Sequence, residues 1–242
     1  MSTFVLVHTA WNGPHCFRKV RPHLQRAGHE VFTPSLTGVG ERVHLASPQV
    51  GLRTHIEDVV NEVLCEDLRD IVLLGYSYGG AVVTGALDYV ADRVAHLVYL
   101  EAFVPADGES VGDVISRTGG PTLSGEAPPL FGPGSSWLLP PPRARAYDDA
   151  DDAAWMAARL TAQPRRSFEE PVHLRQPLEQ FPFTRTYIKA SQEPRPPSGG
   201  PFGVAGDHAK SSPAWRYHEI DTNHLILFNR PEELATILLE LA

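Results

Sequence analysis

Short apolar runs alternate with segments of helical spacing along most of the chain. The apolar runs predict six strands, at 3–8, 30–34, 71–75, 95–103, 184–190 and 215–220. The other segments predict helices, at 13–29, 51–68, 78–91, 151–160 and 230–242. Continuous apolar strands that alternate with helices are typical of a parallel sheet covered on both faces. The pattern therefore predicts an α/β fold with a mostly parallel central sheet.

The alternation breaks between the fourth and fifth predicted strands. Residues 118–149 are dense in Pro and Gly, and a helical segment follows them. A long segment of this kind inside an α/β unit is either an active-site cover or a disordered insertion. We expect a helical cap inserted after the fourth of six strands. The expected division is a core of residues 1–104 and 184–242 and a cap or lid of residues 105–183.

Composition and charge exclude several classes of protein. The chain has 242 residues, of which 42% are apolar and 21% charged, and its net charge of −8 without a basic stripe argues against nucleic-acid binding. The two cysteines, Cys16 and Cys65, make a disulfide framework improbable. No signal peptide and no apolar run of about 20 residues are seen, so we expect a cytoplasmic protein without a membrane span. A homodimer is left open.

The stretch IVLLGYSYGGAVVTGA (71–86) places a serine between a predicted strand and a predicted helix. A serine on a sharp strand-to-helix turn needs small neighbours, and Gly75 and Gly79 supply them. Gly80 lets the helix lie close to the strand. Such a turn lifts the serine hydroxyl into a cleft at the positive end of the helix. The motif predicts Ser77 as a nucleophile.

A serine hydroxyl needs a base to take its proton, and position selects His224 among the eleven histidines. His224 lies in EIDTNHLILFNRPEEL, after the last strand and before the last helix. The third member of a triad falls there when the chain order is serine, acid, histidine.

Two backbone N–H groups must hold the oxyanion that forms on the carbonyl oxygen. One is expected from Tyr78, the residue after the nucleophile. The other is expected from the loop HTAWNGPH (8–15), at Ala10. Thr9 shapes this loop, and Trp11 is a candidate for the pocket wall.

Four stretches carry a family resemblance: FVLVHTAWNGPHCFRKVRPHLQRAGHEVFTPSLTGVGER, LLGYSYGGAVVTGA, LVYLEAFVP and DTNHLILFNRPEELATILLEL. Together they resemble the α/β-hydrolase superfamily, in the branch of the plant methyl esterases and hydroxynitrile lyases and their bacterial esterase relatives. The resemblance covers the core and not the cap. It implies an α/β-hydrolase fold, a Ser77/His224 pair, an oxyanion hole at Ala10 and Tyr78, a helical cap and no cofactor.

The chain departs from that branch at three positions. Thr9 replaces the usual glycine after His8, as in the hydroxynitrile lyases. Those lyases carry a lysine directly after the catalytic histidine, where this chain has Leu225. Tyr76 replaces the commoner histidine before the nucleophile. The chain thus has the threonine of the lyases but lacks their lysine, and this favours a hydrolase over a lyase.

Two carboxylates compete for the role of the triad acid, which orients the histidine and stabilises the imidazolium. Glu101 ends the apolar strand HLVYLEAFV, 24 residues after Ser77. A lone buried carboxylate is costly unless it is partnered, and this favours Glu101. Glu193 follows the fifth strand, matches the acid of the plant enzymes and begins a Pro- and Gly-rich loop at 190–213 that we expect to be solvated. Asp221 is a weaker third candidate.

These features predict a serine esterase or lactonase that acts on a hydrophobic small molecule through an acyl-enzyme. The alternatives are a lyase on the same scaffold and a non-catalytic ligand-binding member. No Cys/His spacing suits a zinc ion, and no Gly-x-Gly-x-x-Gly follows a strand. Candidates for the apolar pocket wall are Phe103, Trp137, Trp155 and Phe202.

Overall fold

A computed structural model describes residues 1–120, 135–142 and 146–242 of the chain. Its strands are β1 (Thr3–Val7), β2 (Glu30–Phe32), β3 (Ile71–Tyr76), β4 (Val94–Leu100), β5 (Leu138–Leu139), β6 (Gln163–Pro164), β7 (Thr184–Ala190) and β8 (Arg216–Ile220). Six of them form one sheet in the order β2-β1-β3-β4-β7-β8, and every pair in it is parallel. This confirms the predicted parallel sheet and its six strands.

The helices of the described residues cover both faces of this sheet. They are α1 (Arg21–Arg26), α2 (Leu52–Cys65), α3 (Gly79–Val90), α4 (Val111–Arg117), α5 (Ala150–Ala157), α6 (Arg166–Glu169), α7 (Gly200–Ser211), α8 (Ile226–Asn229) and α9 (Pro231–Glu240). Alternate residues of a strand point to opposite faces. In β1, Val5 and Val7 share a cluster with α2 and α3, whereas Phe4 and Leu6 share one with α1 and α9. Burial on both faces explains the continuous apolar runs.

The prediction of a single helix at 13–29 is wrong, because the structure divides this segment into two elements. The structure has a 3-10 turn at Pro14–Phe17 and then the short helix α1, which has Pro22 in its first turn. A proline has no N–H and sits favourably where a helix begins, so Pro22 starts a new helix. The predicted loop at 190–213 is also wrong in part, because it contains the twelve-residue helix α7.

The segment between β4 and β7 contains helices α4, α5 and α6 and the antiparallel pair β5–β6. Helix α6 contacts α2 and α4, and α4 contacts α7. The core and cap boundaries stay a prediction, and residues 121–134 and 143–145 of the predicted Pro/Gly-rich part lie outside the described residues. Among the helices that are described, none has the length and apolar character needed to cross a membrane.

Candidate active site

Ser77 occupies the sharp turn between β3 and α3 that its motif predicts. Its φ is 55°, in the left-handed region that a non-glycine residue enters only where the surroundings enforce it. A Cβ on Gly75 would lie 2.5 Å from the carbonyl oxygen of Gly79, and one on Gly79 would lie 2.5 Å from that of Val7. The two glycines are therefore required by close backbone approach.

The neighbouring strand clamps this turn from the other side. The N–H of Ser77 donates to the carbonyl of Leu100 at 3.1 Å, and the Ser77 carbonyl accepts from the N–H of Phe103 at 3.1 Å. The turn is held on both sides of the serine, and the side chain of Ser77 borders a cavity.

His224 follows β8 and borders the same cavity as Ser77. Its imidazole stacks on Phe202 with a centroid separation of 4.9 Å and lies 5.2 Å from the ring of Tyr76. The Tyr76 hydroxyl donates to the backbone carbonyl of His224 at 2.7 Å. Tyr76, which departs from the family pattern, thus ties the nucleophile strand to the loop that carries the histidine.

Ala10 and Tyr78 are both buried beside the serine and line the cavity. In the part of the chain that the structure describes, neither backbone N–H has an acceptor. His8 supports the loop that contains Ala10: its Nδ1 donates to the Thr9 carbonyl at 2.9 Å, and its Nε2 accepts from the N–H of Leu36 at 3.2 Å. Burial lowers the pKa of His8 to about 4, so the ring is neutral at neutral pH.

Glu101 is fully buried at the end of β4, with a left-handed φ of 41° that ends the strand before the predicted residue 103. Its carboxylate accepts from the Lys189 ammonium at 2.9 Å and from the N–H of Ala190 at 2.7 Å. Burial raises the pKa of Glu101 to about 7, against the opposing effect of the Lys189 charge. The hydrogen bonds of this carboxylate go to β7 and not to His224.

Glu193 is half-buried and lies directly beside His224. Its Oε2 accepts from the backbone N–H of His224 at 3.1 Å. The turn before it is pinned to the end of β8, since Gln192 N–H donates to Thr222 at 2.9 Å and Ser191 N–H to Ile220 at 3.0 Å. Glu193 is thus not in the solvated part of a loop, contrary to expectation.

Asp221 is exposed, and its carboxylate accepts hydrogen bonds from the side chains of Ser191 and Gln192. This third candidate acid therefore braces the turn that carries Glu193.

The cavity has a volume of about 1010 Å³. Of the predicted wall residues, Thr9, Trp11, Phe103 and Phe202 line it. Trp155 is not among the described residues that line the cavity. The guanidinium groups of Arg18 and Arg159 stack on its indole. Trp137 is also outside that lining and packs against a small cluster of Leu138 and Ala162. Both tryptophans were predicted from residue type alone, which does not show where a side chain points.

The sequence analysis missed several residues that line the cavity. They are Asn12, Cys16, Met156, Leu160, Phe168, Lys189 and Tyr217. Lys189 carried a usable signal, because it is a cation between the apolar residues Ile188 and Ala190 at the end of the strand TRTYIKA. The described ranges contain no cluster of three His, Cys, Asp or Glu side chains that could hold a metal ion.

Comparisons with known proteins agree with this fold. The family model described as "Alpha/beta hydrolase family" matches residues 4–237. The "Carbendazim hydrolyzing esterase" of Nocardioides sp. (strain SG-4G) is 35% identical over 243 residues, which cover 97% of each chain. The "Alpha-hydroxynitrile lyase" of Arabidopsis thaliana is 32% identical over 108 residues, 42% of this chain and 40% of its own.

The fold has a match among solved structures. An extracellular alpha/beta-hydrolase from a Paenibacillus species, described as sharing structural and functional homology with Tobacco Salicylic Acid Binding Protein 2, superposes with a TM-score of 0.80. The two chains are 21% identical, over 99% of this chain and 98% of the other. At that identity the likeness concerns the fold. The predicted cytoplasmic location stays a prediction, as does a homodimer.

Proposed function

The chain belongs to the alpha/beta hydrolase family and is an ester hydrolase, and on that premise we propose that it cleaves esters of hydrophobic small molecules through an acyl-enzyme on Ser77. The observation that carries this proposal is the left-handed serine at the strand-to-helix turn, which shares one cavity with His224. Such a turn presents a serine to a carbonyl carbon.

The proposed reaction has two halves. Ser77 attacks the ester carbonyl while His224 takes its proton, and the Ala10 and Tyr78 N–H groups hold the oxyanion. His224 then returns the proton to the leaving alcohol. In the second half, His224 takes a proton from water, the hydroxide attacks the acyl-enzyme, and Ser77 regains its proton as the acid leaves.

We propose Glu193 as the acid that orients His224, with Glu101 as the alternative. The hydrogen bond from the His224 N–H to Glu193 supports this choice, because it holds the carboxylate at the histidine. A triad acid must be ionised to stabilise the imidazolium. Glu101 has a pKa raised to about 7 and its two oxygens are engaged by Lys189 and Ala190, so it is less suited to that role.

The lining of the cavity supports a hydrophobic substrate. Aromatic and aliphatic side chains surround Ser77, among them Trp11, Phe103, Phe168 and Phe202, and such walls favour apolar ligands. Candidate substrates are carboxylic esters and lactones of this hydrophobic kind. A lyase has less support, since Leu225 brings no cation to the place where the lyases have one.

The first experiment is intact-mass spectrometry after treatment with a small fluorophosphonate, together with hydrolysis of a chromogenic short-chain ester. We expect one adduct on the wild type and none on Ser77→Ala, with ester turnover lost in parallel. A folded wild type that gives neither an adduct nor turnover would contradict the proposal and favour a lyase or a binding protein.

The second experiment assigns the acid with Glu193→Gln and Glu101→Gln, each compared with its Asp variant. Replacing a triad aspartate by its amide lowers kcat by about 10⁴ in a serine protease, so Glu193→Gln should lower kcat by roughly 10² to 10⁴. We expect a much smaller loss for Glu101→Gln once kcat is divided by the titrated fraction of active sites. The reverse order of these losses would assign the acid to Glu101.

A further inference from the structure

Trp11 follows the proposed oxyanion donor Ala10 and has a left-handed φ of 60°. Three hydrogen bonds hold it. Its N–H donates to Gln163 Oε1 at 3.0 Å, its carbonyl accepts from the N–H of Thr161 at 3.0 Å, and its indole Nε1 donates to the Leu139 carbonyl at 3.1 Å. All three partners come from the segment between β4 and β7, which is outside the strands that build the serine turn.

Gln163 is the side chain among these partners, and it is fully buried. Its Nε2 donates to Ser167 Oγ at 2.8 Å, and Ser167 Oγ donates to the Pro164 carbonyl at 2.7 Å. Because a hydroxyl has one proton, this chain of donors fixes the orientation of the amide and directs Oε1 at Trp11. A left-handed tryptophan persists only where its surroundings enforce it, and a buried N–H requires an acceptor.

The same segment also touches the second oxyanion residue. The ring of Phe168 stacks on Tyr78 at a centroid distance of 5.3 Å and lies 5.5 Å from the ring of Trp11. From the other side, the Tyr78 hydroxyl donates to His55 Nδ1 at 2.8 Å, and His55 Nε2 donates to the Thr37 carbonyl at 2.8 Å. Both residues beside the proposed hole are thus fixed by side chains distant from Ser77 in sequence.

We propose that Gln163 is a positioning residue of the oxyanion hole. By accepting the Trp11 N–H, it holds the Ala10–Trp11 backbone in the one arrangement that points the Ala10 N–H into the cavity. This inference rests on the proposed function, since it presupposes that Ala10 and Tyr78 hold the oxyanion. It makes the segment between β4 and β7 part of the catalytic architecture as well as a cover.

The test compares Gln163→Met, which keeps the length of the side chain and removes the acceptor, with Gln163→Glu, which keeps an acceptor oxygen. Loss of one oxyanion donor costs about 10² to 10³ in kcat, and a misplaced group about 10². We expect Gln163→Met to lower kcat roughly 10- to 100-fold with little change in KM. Gln163→Glu should recover most of that loss.

Two further measurements separate positioning from stability. Fluorophosphonate titration gives the fraction of competent sites, and every kcat is expressed per titrated site. The inhibition constant of an aryl trifluoromethyl ketone, which forms a tetrahedral oxyanion on a serine, should rise in Gln163→Met by the same factor as kcat falls. Thr186→Val is the matched control, because it removes a buried hydrogen bond to His96 away from the cavity.

The outcomes are distinct. If Gln163→Met has the wild-type kcat per titrated site, or if Thr186→Val lowers kcat as much, Gln163 contributes only to stability and the inference is wrong. If the wild type itself is neither labelled nor active, it is the proposed function that fails. An unchanged inhibition constant beside a lowered kcat would also overturn the positioning role.

Discussion

The buried carboxyl of Glu101 should make the stability of the protein fall as the pH rises from 5 to 8. Burial raises its pKa from an ordinary value of 4.5 to about 7, although the nearby Lys189 opposes the rise. Between these two values the folded protein binds a proton that the unfolded chain has lost. Stability therefore decreases with pH in this window. The contribution is complete below about 4.5 and is lost as the pH passes through 7.

The size of the effect follows from the two pKa values. Each pH unit in the window costs about 1.4 kcal/mol per proton, and the window spans about 2.5 units. The upper bound is about 3.5 kcal/mol of unfolding free energy. The assay is urea unfolding, followed by tryptophan fluorescence at pH 5, 6, 7 and 8, for the wild type and Glu101→Gln. In the difference between the two unfolding free energies, the contributions of all other titrating groups that the substitution leaves unchanged cancel.

We expect the wild type to lose about 2.5 kcal/mol relative to Glu101→Gln between pH 5 and pH 8, because the unfolded-state carboxyl is already largely ionised at pH 5. A second pair, Lys189→Met and Lys189→Met/Glu101→Gln, tests the cause. Without the cation the pKa of Glu101 should rise further, so the loss should move to higher pH. A difference that stays flat from pH 5 to pH 8 would refute the reasoning. It would mean that Glu101 is ionised in the folded protein, and the argument against its role as the triad acid would fail.

Two further predictions concern the residues that support the serine and the histidine. Tyr76→Phe keeps the ring beside His224 but removes the hydroxyl that donates to the buried backbone carbonyl of His224 at 2.7 Å. We expect a loss of about 1 to 3 kcal/mol in urea unfolding and a kcat about 10-fold lower, and an unchanged kcat would show that the bond does not position the histidine. Gly79→Ala places a Cβ 2.5 Å from the Val7 carbonyl oxygen and should unfold the protein or abolish fluorophosphonate labelling. Gly203→Ala in α7, where the nearest atoms belong to the flexible Arg195 side chain, is its control and should fold normally.

Strands were the most predictable part of the fold. Their apolar runs are continuous because the sheet is buried on both faces, and β7 begins and ends where its sequence predicts. Helix α7 was missed because glycine and proline dominate its first turns, and composition of that kind is typical of loops. Its Pro201 instead occupies the first turn of the helix, where a proline is favourable. The Gly- and Pro-rich composition of this segment therefore predicts a loop, whereas the position of its proline is compatible with the start of a helix.

Ser77 and His224 were predictable for different reasons. The serine lies in a local motif whose glycines are required by the turn itself. The histidine follows from its place in the order of elements. The role of Gln163 was not predictable, because its contact with Trp11 joins residues 152 positions apart through a segment of irregular composition.

The choice between the two acids depends on which side chains meet at the edge where β4 and β7 end. In the observed register, Leu100 pairs with Ile188, so the next residues along the two strands are Glu101 and Lys189. A lone carboxylate in one apolar strand and a lone ammonium in its neighbour satisfy each other when the strands are adjacent and parallel. The sequence contains both signals, and the pairing follows once the two strands are taken as neighbours. Because Lys189 partners Glu101, burial of Glu101 needs no histidine to explain it, and Glu193 is left beside His224.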